Sequence, residues 1–139
     1  MVPITSIITR NVITCEKNSN IFDAALKMAE NNIGSIVIVE QNKPVGIFTQ
    51  RDLLTRAVAK RLDLDKTSIS EVMTTDLVVV QENETCSSIY MKMKAKKIRH
   101  VPVVKEGELT GIVSIKNILN IVNDFLIREM DLQDYSGLY

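Results

Sequence analysis

The sequence predicts an α+β protein made of two α/β-type repeats, each β-α-β-β-α, packed sheet to sheet with pseudo-two-fold symmetry. Two observations predict it. Shifting the chain by 65 residues lays positions 4–54 on 69–119 with no gap and ten identities in 51 positions. Nine further pairs, Ile7/Val72 and Ile36/Val101 among them, exchange one apolar residue for another. Within each copy the hydrophobic period then switches between strand-like and helix-like in the same order. A unit this small buries little surface alone, so the two copies must pack as one globule. At 139 residues, a compact fold buries about 68% of the surface its unfolded chain exposes, enough for a core without metals or disulfides. Residues 1–62 are assigned to the first repeat with its connecting helix, and 63–139 to the second repeat with a C-terminal tail.

Each copy opens on a short apolar segment, Val12-Ile13 in the first and residues 77–80 in the second. Helical spacing follows: Phe22, Ala25, Leu26 and Ala29 behind a cap at Ser19 or Asn20, then Ile89, Tyr90 and Met93 behind Thr85 or Ser87. Two β-rich runs come next, 36–39 and 45–48 around Gln41-Asn42-Lys43-Pro44, matched by 101–104 and 109–113 around Glu106-Gly107; they read as hairpins. A second helical pattern closes each copy, with Leu53, Leu54, Ala57 and Val58 in one and Ile118, Leu119, Val122 and Phe125 in the other. Residues 55–68 contain no Gly or Pro, so they are expected to prolong the second helix and turn near 63–65 rather than form a flexible linker.

Composition removes several functions. Lys and Arg number 17, as do Asp and Glu, so no bulk field draws nucleic acid or anionic lipid. One histidine rules out an all-histidine zinc site in one chain. The six aromatics are scattered and offer no base-stacking platform. Neither G-x-G-x-x-G nor G-x-x-x-x-G-K-[ST] occurs. Cys15 and Cys86 lie far apart and read as small buried hydrophobes in a reducing compartment. The N-terminus has no signal-peptide pattern and the apolar runs are strand-sized, so a cytoplasmic protein with no membrane partner is expected.

The chemistry-bearing candidates sit at the turn Gly46-Ile47-Phe48-Thr49-Gln50-Arg51-Asp52, which recurs as Gly111-Ile112-Val113-Ser114-Ile115-Lys116-Asn117. Thr49 and Ser114 can cap a helix start, answered three residues on by Asp52 and Asn117. The same geometry suits an anion, and a carboxylate one turn in can accept both hydroxyls of a ribose. Arg51 and Lys116 add positive charge beside the hydroxyls. Residues 96–104 hold the only histidine, His100, next to Arg99 and just ahead of a strand; the first copy has Gly34 and Ser35 there. The copies are therefore chemically unequal.

These residues resemble the tandem cystathionine β-synthase (CBS) domain pair, or Bateman module, over about residues 4–122. The motifs are Ile-Ile-Thr-Arg-Asn-Val-Ile-Thr at 7–14, Val-Met-Thr-Thr-Asp-Leu-Val-Val at 72–79, Ile-Arg-His-Val-Pro-Val-Val at 98–104, and the two Gly-x-x-Thr/Ser-x-x-Asp/Asn turns. The resemblance implies a stand-alone, non-catalytic regulatory module with two clefts between its sheets. Those clefts would take AMP, ADP or ATP, with S-adenosylmethionine or NAD as further adenosyl ligands, and no metal. It implies that Thr49 and Asp52 meet phosphate and ribose in one cleft, and Ser114 and Asn117 in the other. First strands containing Thr9, Val12 and Ile13, and Thr74, Leu77 and Val78, would flank adenine. Ile36 and Val101 would pack on its faces, with Pro102 in the same set, while Arg99 and His100 face phosphate. Asn117 in place of Asp implies that one cleft binds more tightly than the other. Asp52→Ala is expected to abolish ribonucleotide binding with little loss of fold. A homodimer through residues 53–58 and 118–126, and a regulated partner protein, are also implied. Two other readings stand beside this one: a constitutive adaptor with vestigial clefts, and a small enzyme or nucleic-acid binder using the face of residues 92–99.

Overall fold

The computed structural model describes residues 2–130, so the C-terminal tail assigned to the second repeat lies outside the described residues from 131 onward. The first copy comprises β1 (Thr14–Glu16), α1 (Ile21–Glu30), β2 (Ser35–Glu40), β3 (Lys43–Thr49) and α2 (Gln50–Asp52), which runs on as a π-helical segment over Leu53–Val58. The second comprises β4 (Val80–Gln81), α3 (Cys86–Lys96), β5 (His100–Lys105), β6 (Glu108–Ser114) and α4 (Ile115–Glu129). Each copy forms a three-stranded sheet in which the first strand runs parallel to the second and the second antiparallel to the third. The predicted β-α-β-β-α order holds in both copies.

Local chemistry explains the elements. Both hairpins turn on two residues in the left-handed region, Gln41-Asn42 and Glu106-Gly107, whose twist matches that of the flanking strands. Both carry a register shift at the same repeat position, Ile38/Val39 and Val103/Val104. Of the alternative caps, Asn20 receives the Asp23 amide at 2.7 Å and Thr85 receives that of Ser88 at 3.3 Å. The second helix of the first copy is not α-helical past Asp52. The chain winds as a π-helix there, with the Ala59 amide reaching the Leu54 carbonyl five residues back, and the Thr55 hydroxyl donates to the Arg51 carbonyl at 2.8 Å. It ends at Val58 and turns at Asp63, whose carboxylate accepts from the amides of Asp65 and Lys66.

The first strands start later than the resemblance implies. Residues 9–13 and 74–78 are irregular, and β1 and β4 begin at Thr14 and Val80. The reason is a commitment to the other copy. Thr9 exchanges two backbone hydrogen bonds with Ile112 on β6, both 3.0 Å, and Thr74 exchanges two with Ile47 on β3, at 2.8 and 2.9 Å. The single amide hydrogens of Thr9 and Thr74 are thereby donated to the other copy and not to a strand of their own sheet.

The cores are exchanged in the same sense. One cluster joins Ile21, Met28, Ile36, Ile38 and Phe48 of the first copy to Ile69, Val72 and Met73 of the second. The other joins Val80, Ile89, Met93, Val101, Val103 and Val113 to Ile4, with Ile7 and Ile8 against it. The two glycines shared by the repeats mark where the lent segments cross. A Cβ on Gly111 would collide with Ile8 Cδ1 and stand 3.1 Å from the Thr9 carbonyl oxygen; one on Gly46 would collide with Met73 Sδ. Gly111→Ala should cost about 1–3 kcal/mol by overpacking. Gly46→Ala should cost less, because a methionine can yield where the Thr9 backbone cannot. Urea denaturation of both variants checks the order.

Candidate functional site

Two clefts open between the repeats, built from symmetry-equivalent parts. The first, about 750 Å³, is lined by Ile47, Thr49, Gln50 and Arg51 from the end of β3 and α2, by Thr74, and by residues 97–100. The second, about 370 Å³, is lined by Ile112, Ser114, Lys116 and Asn117 from β6 and α4, by Thr9, Asn11, Val12 and Ile13, and by residues 32–35. Gly34, Arg99 and His100 line both clefts. The interrepeat bridges that fix Thr9 and Thr74 thereby place each at a cleft wall.

The helix starts at the two clefts are capping boxes. The Thr49 hydroxyl accepts the Asp52 amide at 3.2 Å and an Asp52 carboxylate oxygen accepts the Thr49 amide at 3.1 Å. In the second copy the Ser114 hydroxyl accepts the Asn117 amide at 3.2 Å, while Asn117 Oδ1 accepts from both the amide and hydroxyl of Ser114 at 2.9 Å. Asp52 itself is buried, 8% exposed. Its carboxylate lies 3.6 Å from Arg56 Nε and 3.4–3.5 Å from the Thr74 hydroxyl. It stands behind Thr49 and Thr74 rather than in the lining. That changes the expectation for Asp52→Ala: a buried side chain holding a cap and an ion pair is not removed without loss of stability.

The structure brings together Thr49, Arg51, Thr74, Arg99 and His100 in the first cleft, and Thr9, Val12, Ile13, Ser114, Lys116, Asn117, Arg99 and His100 in the second. Ile36 and Val101, expected on adenine faces, are fully buried in the two cores and line neither cleft. Pro102 is buried on β5 opposite Ile112. Leu77 and Val78 are half-buried but stand away from the first cleft, with Val78 packed on the second core.

Cations gather unevenly. Arg51, Lys97 and Arg99 approach the first cleft, Lys116 and Arg99 the second. Lys97 falls within the face of residues 92–99. It is the C-cap of α3 with φ 56°, a left-handed position that its equivalent Asn32, φ 52°, adopts more readily. That turn takes Lys97 off the helix and toward the cleft. Asn11 lies within the stretch 9–13 expected to flank the base, whereas Gln50 is a lining residue that sequence reasoning missed, since a polar residue beside a cap carries no mark of its own. His100 is half-buried; burial, and next the Arg99 charge, push its pKa below the ordinary histidine range, so it is neutral at pH 7.

Comparison with known proteins gives the family and the fold. The family model for the CBS domain matches the chain twice, over residues 4–59 and 69–124. CBS domain-containing protein YhcV of Bacillus subtilis is 36% identical over 107 residues, 77% of this chain and 76% of YhcV. The CBS domain pair of protein MJ0100, solved in complex with 5′-methylthioadenosine and S-adenosyl-L-methionine, aligns with a TM-score of 0.80 at 30% identity, over 87% of this chain and 99% of that one. CBS domain protein PAE2072 from Pyrobaculum aerophilum, complexed with AMP, aligns with a TM-score of 0.78 at 30% identity, over 84% and 89% of the two chains. This chain spans 20% of the length of two Arabidopsis thaliana proteins that it also matches.

Proposed function

The chain belongs to the CBS domain family, with the domain present twice in tandem, and from that premise we propose that it is a regulatory module that binds adenosine nucleotides in its two clefts and passes the resulting change to a partner protein. The observation that carries this reading is the pair of capped helix starts opening onto clefts whose shared wall holds Arg99 and His100. Both volumes fall within the roughly 300–1,000 Å³ of small-molecule sites. In this reading Thr49 and Ser114 hold phosphate with Arg51, Lys116 and Arg99, and the Asp52 carboxylate accepts the ribose hydroxyls in exchange for the Thr74 hydroxyl that covers it in the unliganded chain. Val12 and Ile13 supply apolar contact for a base in the second cleft. A ligand regulates only if it binds two states of the module unequally.

The test is a thermal-shift panel of AMP, ADP, ATP, NAD and S-adenosylmethionine. A ligand at 100 times its Kd should stabilise the fold by about 2.7 kcal/mol. No shift with any of the five overturns the reading. The apolar residues Leu54, Val58, Leu119 and Phe125, each half or more exposed on the second helices, support a homodimer. Sedimentation should show a dimer that Leu119→Asp dissociates. Among the described residues no helix is long and apolar enough to cross a membrane.

Binding should depend on pH through His100. Its folded pKa lies below the unfolded value, so its contribution to unliganded stability is complete above about pH 6.5 and is lost as pH falls through the window beneath. A phosphate nearby favours the imidazolium, so AMP should bind with proton uptake below that pH. The ligand phosphate titrates near pH 6 itself. The measurement is therefore the difference in AMP affinity between wild type and His100→Gln from pH 7.5 to 5.5, which should widen as pH falls.

A further inference from the structure

We propose that Arg99 and His100 are a single anion-binding pair shared by the two clefts, so that a phosphate-bearing ligand in the first cleft weakens the binding of a second in the other. The inference rests on the proposed function, ligand binding in these clefts.

The geometry behind it is the shared wall. Symmetry gives that wall two equivalent positions, Gly34 and Arg99, and each lines both clefts. Each is fixed by its backbone to the start of the following helix: the Gly34 carbonyl accepts the Gln50 amide at 3.0 Å, and the Arg99 carbonyl accepts the Ile115 amide at 2.8 Å. One position has no side chain and the other carries a guanidinium. Arg99 is exposed and has no carboxylate partner among the described residues. The two clefts therefore share one guanidinium and one imidazole.

A bidentate guanidinium contact to one phosphate fixes the fork in one direction. The second phosphate then finds that donor committed and also meets the charge of the first, in clefts that touch at these residues, where salt screens incompletely. The first cleft retains Arg51 and Lys97 of its own, whereas the second retains Lys116. The first cleft takes the pair, and the second pays the coupling.

Two-dimensional NMR titration of the full chain tests this. The amides of Thr49 and Thr74 report the first cleft, and those of Thr9 and Ser114 the second. AMP is compared with uncharged adenosine, in wild type and in the Arg51→Gln/Lys97→Gln double variant. Stripping the first cleft of its own cations should strengthen AMP binding in the second by at least about fivefold, the lower end of ordinary coupling between sites, and leave adenosine there unchanged. Independent clefts predict an unchanged AMP affinity in the second cleft, which overturns the inference while leaving the proposed function standing. Binding of none of AMP, ADP, ATP, NAD and S-adenosylmethionine by wild type overturns the proposed function first.

A second variant tests it without removing charge. An added Cβ at Gly34 would make only ordinary contact with Gln50, 3.6 Å from its side-chain oxygen. Gly34→Arg should supply the missing guanidinium and bring the second AMP closer in affinity to the first. A gap between the two AMP steps as wide as in wild type counts against sharing.

Discussion

Ile69→Ala should lower the unfolding free energy by about 2–5 kcal/mol, the cost of emptying a buried isoleucine site, and should do so through the core of the repeat to which Ile69 does not belong in sequence. Ile69 is fully buried against Ile21, Phe48 and their neighbours. Its amide donates to the Ser19 carbonyl at 2.7 Å, and Ser68 bridges to Asn20. The mirror residue, Ile4, is equally buried among Val80, Ile89 and Val101. There the Cys86 amide donates to the Val2 carbonyl at 3.1 Å. Since each repeat completes the other's core, neither is a folding unit alone. Urea unfolding followed by circular dichroism should show one transition in wild type, in Ile69→Ala and in Ile4→Ala, displaced in both variants. Two separated transitions, one left in place by the substitution, would show that each repeat keeps its own leading turn.

The exchange explains what the sequence could and could not reveal. A 65-residue register is the same whether a leading turn packs on its own copy or on its twin, so Ile4 and Ile69 were recognisable as a matched pair while their destinations were not. The hairpins, their glycine or asparagine turns and the caps were readable because each is decided within a few residues: Thr49 with Asp52, Ser114 with Asn117. The strand starts at Thr14 and Val80 were not, because long-range bonds from Thr9 and Thr74 draw the preceding residues away. The apolar pattern of residues 53–58 read as helix, and the π winding that the chain adopts there leaves no separate mark in that pattern. For the clefts, sequence singled out Arg99 and His100 as a basic pair with no counterpart in the first copy. Only the packed repeats put that pair on both clefts and removed Ile36 and Val101 to the cores, since an apolar strand residue looks the same whichever face it presents.

Asp52 gives the second large effect, and the protein contains its own control. Asp52→Ala should cost about 1–3 kcal/mol, combining the loss of a helix cap with the stranding of groups that the carboxylate satisfied. Its binding phenotype is therefore uninformative by itself, and Asp52→Asn separates the two roles. Asn117 occupies the equivalent site and holds Ser114 through one side-chain oxygen at 2.9 Å, so an amide suffices for the box. Asp52→Asn should lose less than about 1 kcal/mol, mainly the ion pair with Arg56, which is half-exposed. A carboxylate has about four lone-pair sites; the Thr49 amide takes one, and the Thr74 hydroxyl lies across both oxygens at 3.4–3.5 Å, a long contact that a ligand hydroxyl can displace. The remainder can accept a ribose diol, which an amide oxygen does less strongly. AMP affinity in the first cleft should therefore fall about tenfold in Asp52→Asn, near 1.4 kcal/mol, while the melting temperature stays close to wild type. Asn117→Asp should move the second cleft the opposite way. Calorimetry showing unchanged affinity in both variants would confine Asp52 to its capping role and leave ribose to other groups in the cleft.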